Sequence, residues 1–586
     1  MQDTWNLDLI YNGFDDPAYR QDLLALEETT LRLEDLSRKL SDLDATSGLV
    51  QGIELLEQLS ELAEKLASYA TLRQTADTTN PECGSQLGRI MNIFSRAAAP
   101  EAAFKDWAAK LPNLLSLVEG NRQLKDYRFL FQNIADSSCH LLPGQGEEIL
   151  ARLQLSGGNA WSELQQYLTS TITARYRDQD ITLSQVRNLA SDSDPQVRRE
   201  AYEAELACYP KIQDSVAYAL NSIKLETLSE CSLRGYDSPL QKTLKESHMS
   251  RATLDAMFAA MDEYLPKFQS YLRCKAKALG HENGLPWYDL FAPMGTSSTK
   301  FTVPQAREYL VTLFQAFDGE LSQMIADAFD NRWIDFYPRP GKTGGAFCAD
   351  AWCIGQSRIL TNFDGTFSSV VTLAHELGHA FHNQCIQGHR PLNHDYSMPL
   401  AETASTFNEC VVMASAITNA ADDQERIALI EAQLQDATQI ICDIYSRYLF
   451  EAEVFRRRPD SFMDAETLCG MMLEAQKQCY GDALDAQLLH PYMWVCKSHY
   501  YGPIFYNFPY AFGGLFARGL YAQYEKEGAS FLPKYKQLLY TTTIATAEDT
   551  ARTAGIDLTD PEFWRGALQT IADQIELLCR LINSEE

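Results

Sequence analysis

The sequence predicts a mainly α-helical protein with one small β-sheet beside the helix that carries His375 and His379. Through most of the chain, Leu, Ile and Ala recur at three- and four-residue intervals, which is the pattern of helices with one buried face. Only two short runs, residues 344–348 and 358–363, are typical of strands. No segment repeats, so the prediction is a set of packed helices around a single sheet.

Turn and capping residues bound the predicted helices in order. A first helical run covers residues 23–76 and ends at Asn80-Pro81, because proline cannot continue a helix. A second covers residues 197–233 and ends at the turn signal of residues 234–237. A third covers residues 302–329 and begins with a Thr-x-Pro-Gln capping pattern.

The length predicts more than one domain. The chain has 586 residues, which is about twice the length at which a single core stops growing. Its 45% hydrophobic and 22% charged residues are typical of a globular protein. We place one boundary near residue 190, which gives an N-terminal helical domain (1–190) and a domain with the metal motif (191–586).

Charge and cysteine usage limit the partners and the location. The chain has 79 acidic and 50 basic residues and a net charge of -29, so it should repel phosphate backbones and anionic lipids. We therefore expect no nucleic-acid or membrane partner. The 14 cysteines are scattered, and the N-terminus lacks the features of a signal peptide, which predicts a cytoplasmic location. The sequence leaves the oligomeric state open.

The segment from His375 to His379 is the candidate metal site. The two histidines stand at i and i+4, so both imidazoles lie on one helix face and can bind one ion. Glu376 points around the helix, where it could take a proton from an attacking water, as in the HExxH zinc hydrolases. The alternative is a pair of histidines with a purely structural role. The apolar residues 370–374 argue against it, because burying these polar groups without a partner is costly.

The third ligand has to come from elsewhere, since a catalytic zinc usually has three protein ligands and one open position. His382 lies on the same helix, and three side chains spread over two turns do not easily converge on a tetrahedral ion. Glu402 is the better candidate, because Pro399 permits a second helix that could cross the first. Glu409, seven residues later, is a candidate hydrogen-bond partner for a ligand histidine. An ordinary salt bridge is the alternative for Glu409.

Residues 372–382 and 401–409 resemble oligoendopeptidase F, of the thimet oligopeptidase family of zinc metallopeptidases. Segments at residues 4–9, 197–202, 234–236 and 341–346 are similar to further parts of the family, so the resemblance covers nearly the whole chain. It implies a helical, two-lobed metallopeptidase with a deep enclosed cleft, which residues 1–190 would wall. It also implies one zinc ion per chain, bound by His375, His379 and Glu402, with Glu376 as general base.

The resemblance also draws attention to His499, Tyr506 and Tyr510. In the family, a histidine and tyrosines at similar spacing stabilise the transition state, because an imidazole or phenol can donate a hydrogen bond to the oxyanion. The residues alone favour a different interpretation. A segment so rich in Tyr and Phe is more often part of an aromatic core.

The predicted function is a zinc-dependent endopeptidase that cuts internal bonds of short unstructured peptides. One alternative is a zinc carboxypeptidase or dipeptidase of a related helical-cleft type, which would need a cationic anchor for the terminal carboxylate of the peptide. A second is a non-catalytic peptide-binding protein. Glu376 argues against that alternative, because a binding protein has no use for a base beside the metal.

Overall fold

The computed structural model describes residues 3–142, 145–296 and 299–584. The helices of the N-terminal half are α1 (Pro17–Lys39), α2 (Ala45–Ala76), α3 (Pro81–Ala109), α4 (Leu114–Glu119), α5 (Arg128–Ser138), α6 (Gly146–Ser156), α7 (Gly158–Thr171), α8 (Leu183–Asn188), α9 (Pro195–Cys208), α10 (Gln213–Arg234), α11 (Pro239–Glu246) and α12 (Arg251–Ala278). Those that follow are α13 (Val303–Phe317), α14 (Gly319–Asp330), α15 (Phe367–Ile386), α16 (Met398–Ala401), α17 (Thr403–Thr418), α18 (Asp423–Thr438), α19 (Ile444–Arg457), α20 (Ala465–Tyr480), α21 (Met493–Cys496), α22 (Phe508–Glu527), α23 (Leu532–Thr541), α24 (Ala547–Arg552) and α25 (Pro561–Ser584).

The strands form two small sheets. Strands β1 (Thr173–Tyr176) and β2 (Gln179–Thr182) make an antiparallel hairpin. Strands β3 (Ile334–Asp335), β4 (Phe347–Ala351) and β5 (Gln356–Leu360) lie in the order β3-β5-β4, with β5 parallel to β3 and antiparallel to β4. Strand β4 is therefore an edge strand of the three-stranded sheet.

The mainly helical fold and the small sheet beside the HExxH helix are confirmed. The Asn383 side chain of α15 donates a hydrogen bond to the Ser357 hydroxyl of β5 at 3.1 Å, so helix and sheet are in direct contact. The β1–β2 hairpin was not predicted. Of its residues only Ala174 is fully buried, so it lacks the alternation that indicates a strand.

All three long predicted helices are divided in the structure. The predicted run 23–76 is divided into α1 and α2 by a 3₁₀ turn, Leu40–Asp42. The predicted helix 197–233 is interrupted by a 3₁₀ turn, Tyr209–Lys211, whose proline has no backbone N–H to donate. The predicted helix 302–329 is interrupted at Asp318, whose side chain accepts the backbone N–H groups of Glu320 and Leu321 at 2.8 and 3.1 Å. A strong N-cap inside an apolar run therefore begins a new helix.

The chain forms two compact units. The first consists of Met1–Cys139, Thr299–Val412 and Gln523–Gly555, and its core packs the N-terminal helices against Ala351 and Leu360 of the three-stranded sheet. The second consists of His140–Ser298, Met413–Ala522 and Ile556–Glu586, with a core on α9, α10, α19 and α20. Residue 190 lies inside the second unit, so these units follow a different division from 1–190 and 191–586, and a separate role for residues 1–190 remains a prediction.

Among the described helices, none combines the length and the apolar character that a membrane span requires.

Candidate active site

Helix α15 of the first unit is fixed by its N-cap and by its apolar face. The Thr366 hydroxyl accepts the backbone N–H of Ser369 at 3.2 Å, which satisfies an otherwise unpaired donor of the first turn. The side chains of Val370, Leu373, Ala374 and Leu377 have no solvent exposure. Because this face is fully packed, the polar side chains of the next two turns are held in fixed directions.

Gly378 lets α15 approach the start of α17 very closely. A Cβ atom at this position would lie 2.5 Å from the carbonyl oxygen of Ala404 and 2.6 Å from the Cα of Ser405. The Asn408 side chain adds a hydrogen bond to the Ala374 carbonyl at 3.0 Å. The two helices therefore touch backbone to backbone, and Glu402, between α16 and α17, is brought to α15.

His375, His379 and Glu402 converge in a small triangle. The two histidine Nε2 atoms are 3.2 Å apart, and they lie 3.3 and 3.4 Å from Glu402 Oε2. A tetrahedral zinc with bonds of 2.0–2.1 Å separates its ligand atoms by about 3.3–3.4 Å. The spacing and the chemistry of these donors therefore fit one zinc ion, and the three ligand atoms form a group that could hold a metal.

The carboxylates around His375 set the hydrogen bonding and the pKa of its ring. Its Nδ1 lies 2.6 Å from Glu409 Oε1, and because a carboxylate only accepts, Nδ1 carries the hydrogen. Burial lowers the pKa of His375, but hydrogen bonds to Glu402 and Glu409 outweigh burial and raise it to about 10. Because a histidine has to be deprotonated at the atom that binds a metal, binding of an ion at Nε2 would be coupled to release of a proton.

Glu376 lies beside this triangle in a buried position. The residue is only 5% exposed, and burial raises the pKa of its carboxyl group, although His375 and His379 oppose the shift. A carboxylate with a raised pKa accepts a proton more readily than an exposed one at the same pH. Glu376 therefore has the chemistry of a general base.

His382 lies away from the triangle. Its Nε2 atom is 2.8 Å from the Thr542 hydroxyl, and its ring stacks on Tyr396 with centroids 4.4 Å apart. Burial lowers the pKa of His382 to about 3, so the ring is neutral and part of the core. The structure thus brings Glu402, rather than His382, to the two histidines.

The second unit brings His499, Tyr506 and Tyr510 together. The His499 and Tyr506 rings stack with centroids 5.5 Å apart, and Tyr510 meets them edge-on at 5.9 and 5.4 Å. We call these three residues the donor cluster. Burial and the cations of Arg447 and Lys497 lower the pKa of His499 to about 4, so its imidazole is neutral at neutral pH.

A sequence profile described as peptidase family M3 matches residues 188–570, which is well over half of the chain. The chain belongs to peptidase family M3. A second profile, described as oligopeptidase F, matches residues 108–173. The predicted resemblance is thereby confirmed.

Named relatives match this M3 chain over nearly its full length. It is 23% identical to the oligopeptidase PepF of Bacillus subtilis, over 99% of this chain and 87% of the relative. It is 24% identical to the group B oligopeptidase PepB of Streptococcus agalactiae, over 92% and 91%. The crystal structure of oligoendopeptidase-F from Enterococcus faecium matches with a TM-score of 0.71 at 19% identity, over 97% and 99%.

Two residues that lie beside the candidate site residues were not identified from the sequence. Gly378 sets the approach of α17, and the signal available was a small residue between the two histidines. Lys497 helps keep His499 neutral, and its position two residues before His499 was the only indication in the sequence.

Proposed function

We propose that this M3 peptidase is a zinc-dependent endopeptidase that hydrolyses internal bonds of short unstructured peptides. The observation that carries the proposal is the triangle of His375, His379 and Glu402 beside the buried Glu376. A peptidase with three ligand atoms at zinc spacing and an adjacent base has the parts required for hydrolysis by water.

The three ligand residues would hold the ion, and zinc in such a site polarises a carbonyl and makes water a better nucleophile. Glu376 takes one proton from the water as its oxygen forms a bond to the carbonyl carbon of the peptide. The same carboxyl group then gives the proton to the leaving nitrogen as the C–N bond breaks. Its raised pKa supports both transfers, because a weakly basic carboxylate would be a poor acceptor at neutral pH.

In the proposed mechanism the donor cluster stabilises the negative charge on the carbonyl oxygen. A neutral imidazole and two phenols can each donate a hydrogen bond, and such donors act most strongly when they are fixed before the reaction. The close ring packing of His499, Tyr506 and Tyr510 supports this role, because it restricts their side-chain rotation.

The proposed substrate is an extended peptide. Strand β4 is an edge strand, so its free backbone groups could pair with a substrate backbone in the extended form that a scissile bond requires. As part of the proposal, residues 1–190 wall a cleft that admits only short unstructured chains. A cytoplasmic location is also proposed, and the scattered positions of the 14 cysteines support it.

Two measurements test this function. Zinc content and cleavage sites should be determined with one unblocked peptide and the same peptide amidated at its C-terminus. We expect internal cleavage of both, because an endopeptidase needs no terminal carboxylate. Loss of cleavage on amidation would favour the carboxypeptidase or dipeptidase alternative, and peptide binding without cleavage by the zinc-loaded protein would favour the binding protein.

A third measurement tests the size limit. The same peptide sequence should be offered free and inserted into an exposed loop of a stable protein. We expect only the free peptide to be cut at an appreciable rate. Comparable cleavage of both substrates would contradict the proposed enclosure by residues 1–190.

A further inference from the structure

A buried ion pair lies next to the segment that carries Tyr506 and Tyr510. Lys224 of α10 and Glu451 of α19 are each 1% exposed, and Lys224 Nζ lies 2.6 Å from Glu451 Oε1. Removing two charges from water has a large cost, and a buried pair is on average no more stabilising than apolar residues of the same size. Burial of the pair is therefore weak evidence of a stabilising role, and its further hydrogen bonds indicate what it holds in place.

Glu451 also binds the segment itself. Its Oε2 atom accepts the side-chain N–H of Asn507 at 2.8 Å, and its Oε1 atom accepts the backbone N–H of Phe505 at 3.3 Å. Asn507 in turn accepts the backbone N–H of Phe508, the first residue of α22, at 2.7 Å. One buried carboxylate thus receives three donors, two of which lie on either side of Tyr506.

The segment needs such support because its backbone is strained. Phe505 has a φ of +51°, a left-handed conformation that a bulky residue rarely adopts. Its ring packs against Phe455 and Tyr448, each with centroids 5.4 Å away, and the Thr243 hydroxyl donates to the carbonyl of Ile504 at 3.2 Å. The strained turn fixes the direction in which Tyr506 leaves the backbone and the start of the helix that carries Tyr510.

We propose that Glu451, held by Lys224 and acting through Asn507, is a positioning residue for the two tyrosines. It touches no reacting atom, and it holds the strained turn in the one conformation from which both phenols can donate to the oxyanion. This inference rests on the donor role proposed above for Tyr506 and Tyr510.

The same unit contains a matched control. Lys275 and Glu431 form an ion pair that is equally buried, at 0% and 2% exposure. Glu431 accepts from Tyr271 at 2.8 Å and from Gln435 at 3.0 Å, and neither residue belongs to the turn. Replacing this pair changes the same kind of interaction without affecting Tyr506 or Tyr510.

The test replaces each ion pair by methionines of similar volume. We expect K224M/E451M to remain folded, as judged by thermal unfolding, with kcat about tenfold lower or more and KM within about twofold. In K275M/E431M both constants should stay within about twofold of the parent. A normal kcat in folded K224M/E451M, or an equal loss in both variants, would overturn the proposal.

A double-mutant cycle separates this inference from the proposed function. In a Tyr506→Phe/Tyr510→Phe background, K224M/E451M should lower kcat by less than about twofold further, because the groups it positions are gone. A fully additive loss would overturn the positioning role. If the two tyrosine substitutions alone leave kcat unchanged, the proposed donor role fails first and the positioning role fails with it.

Asn507→Ala keeps the test decisive if K224M/E451M does not fold. This change removes the link between the carboxylate and the turn and leaves the ion pair in place. The same loss of kcat with an unchanged KM is expected, and a normal kcat would overturn the proposal.

Discussion

The metal triangle and the donor cluster are built in opposite ways. In the triangle of His375, His379 and Glu402, three candidate ligand atoms converge within 3.4 Å. Beside the donor cluster, the carboxylate of Glu451 receives three N–H groups, from Lys224, Phe505 and Asn507. The first arrangement gathers candidate ligand atoms for the proposed metal ion, whereas in the second a carboxylate is already paired with donors of the protein itself. Metal removal should therefore affect the first, and disruption of the buried hydrogen bonds the second.

The strongest test of this comparison is Glu376→Gln. The amide keeps the size of the side chain but cannot accept a proton, so kcat should fall by about a thousandfold while zinc content and thermal stability stay near those of the parent. Peptide turnover should be measured beside metal analysis of the same sample. Near-normal turnover by the zinc-loaded variant would refute the base assignment.

The next largest effect is expected from Glu402→Ala. Two histidines on one helix make a weak site, so the apparent zinc affinity should fall by about a hundredfold or more. Zinc retained after dialysis against a mild chelator is the measurement. Glu409→Gln is the matched comparison, because it keeps all three ligands and disturbs only the hydrogen bond to His375, with an expected loss of about tenfold. Full zinc occupancy in Glu402→Ala would show that Glu402 is not a ligand.

Substitutions in the donor cluster should leave the metal in place and slow the reaction. Tyr510→Phe and His499→Ala should each lower kcat by about a hundredfold with little change in KM, because the charge they stabilise exists only in the transition state. Steady-state kinetics at fixed zinc concentration provide the measurement. A change confined to KM would indicate that both residues bind the substrate. An unfolded variant would favour the aromatic-core interpretation.

The smallest expected effect concerns the protonation of His499. Burial, Arg447 and Lys497 lower the pKa of His499 to about 4, below the 6.5 of an unperturbed histidine. The folded state therefore disfavours the protonated ring, so its contribution to stability is complete above about pH 6.5 and is lost as the pH falls towards 4. Lys497→Met should raise this pKa by less than about one unit. NMR titration of histidine-labelled protein measures it, with Lys477→Met as an exposed control, and an unchanged midpoint would exclude Lys497 as a cause.

The sequence predicted the triangle better than the donor cluster for a physical reason. The i, i+4 spacing of His375 and His379 specifies a shared helix face, and Pro399 marks the start of the segment that carries Glu402. Aromatic residues in the donor cluster follow no comparable rule, since catalytic and core tyrosines look alike in a sequence. The role of Glu451 is still harder to predict from the sequence, because its partner Lys224 is 227 positions away.

In the fold, too, local sequence signals were easier to interpret than contacts between distant parts of the chain. Capping residues such as Thr302 predicted where helices begin, because they act on neighbouring backbone groups. The helix breaks at Pro210 and Asp318 were also local signals, and they were outweighed by the apolar pattern around them. The two compact units could not be predicted in this way, because each is assembled from three separate stretches of chain.

The contact at Gly378 makes the spacing of His375, His379 and Glu402 depend on a residue outside the triangle. A single methyl group added there would clash with the start of α17. The two helices would have to separate, and Glu402 would move away from both histidines. A series with Ala, Ser and Val at position 378 would thus widen the triangle in steps while leaving every ligand in the sequence. Zinc affinity measured across this series would show how much separation of the three side chains the proposed metal site tolerates.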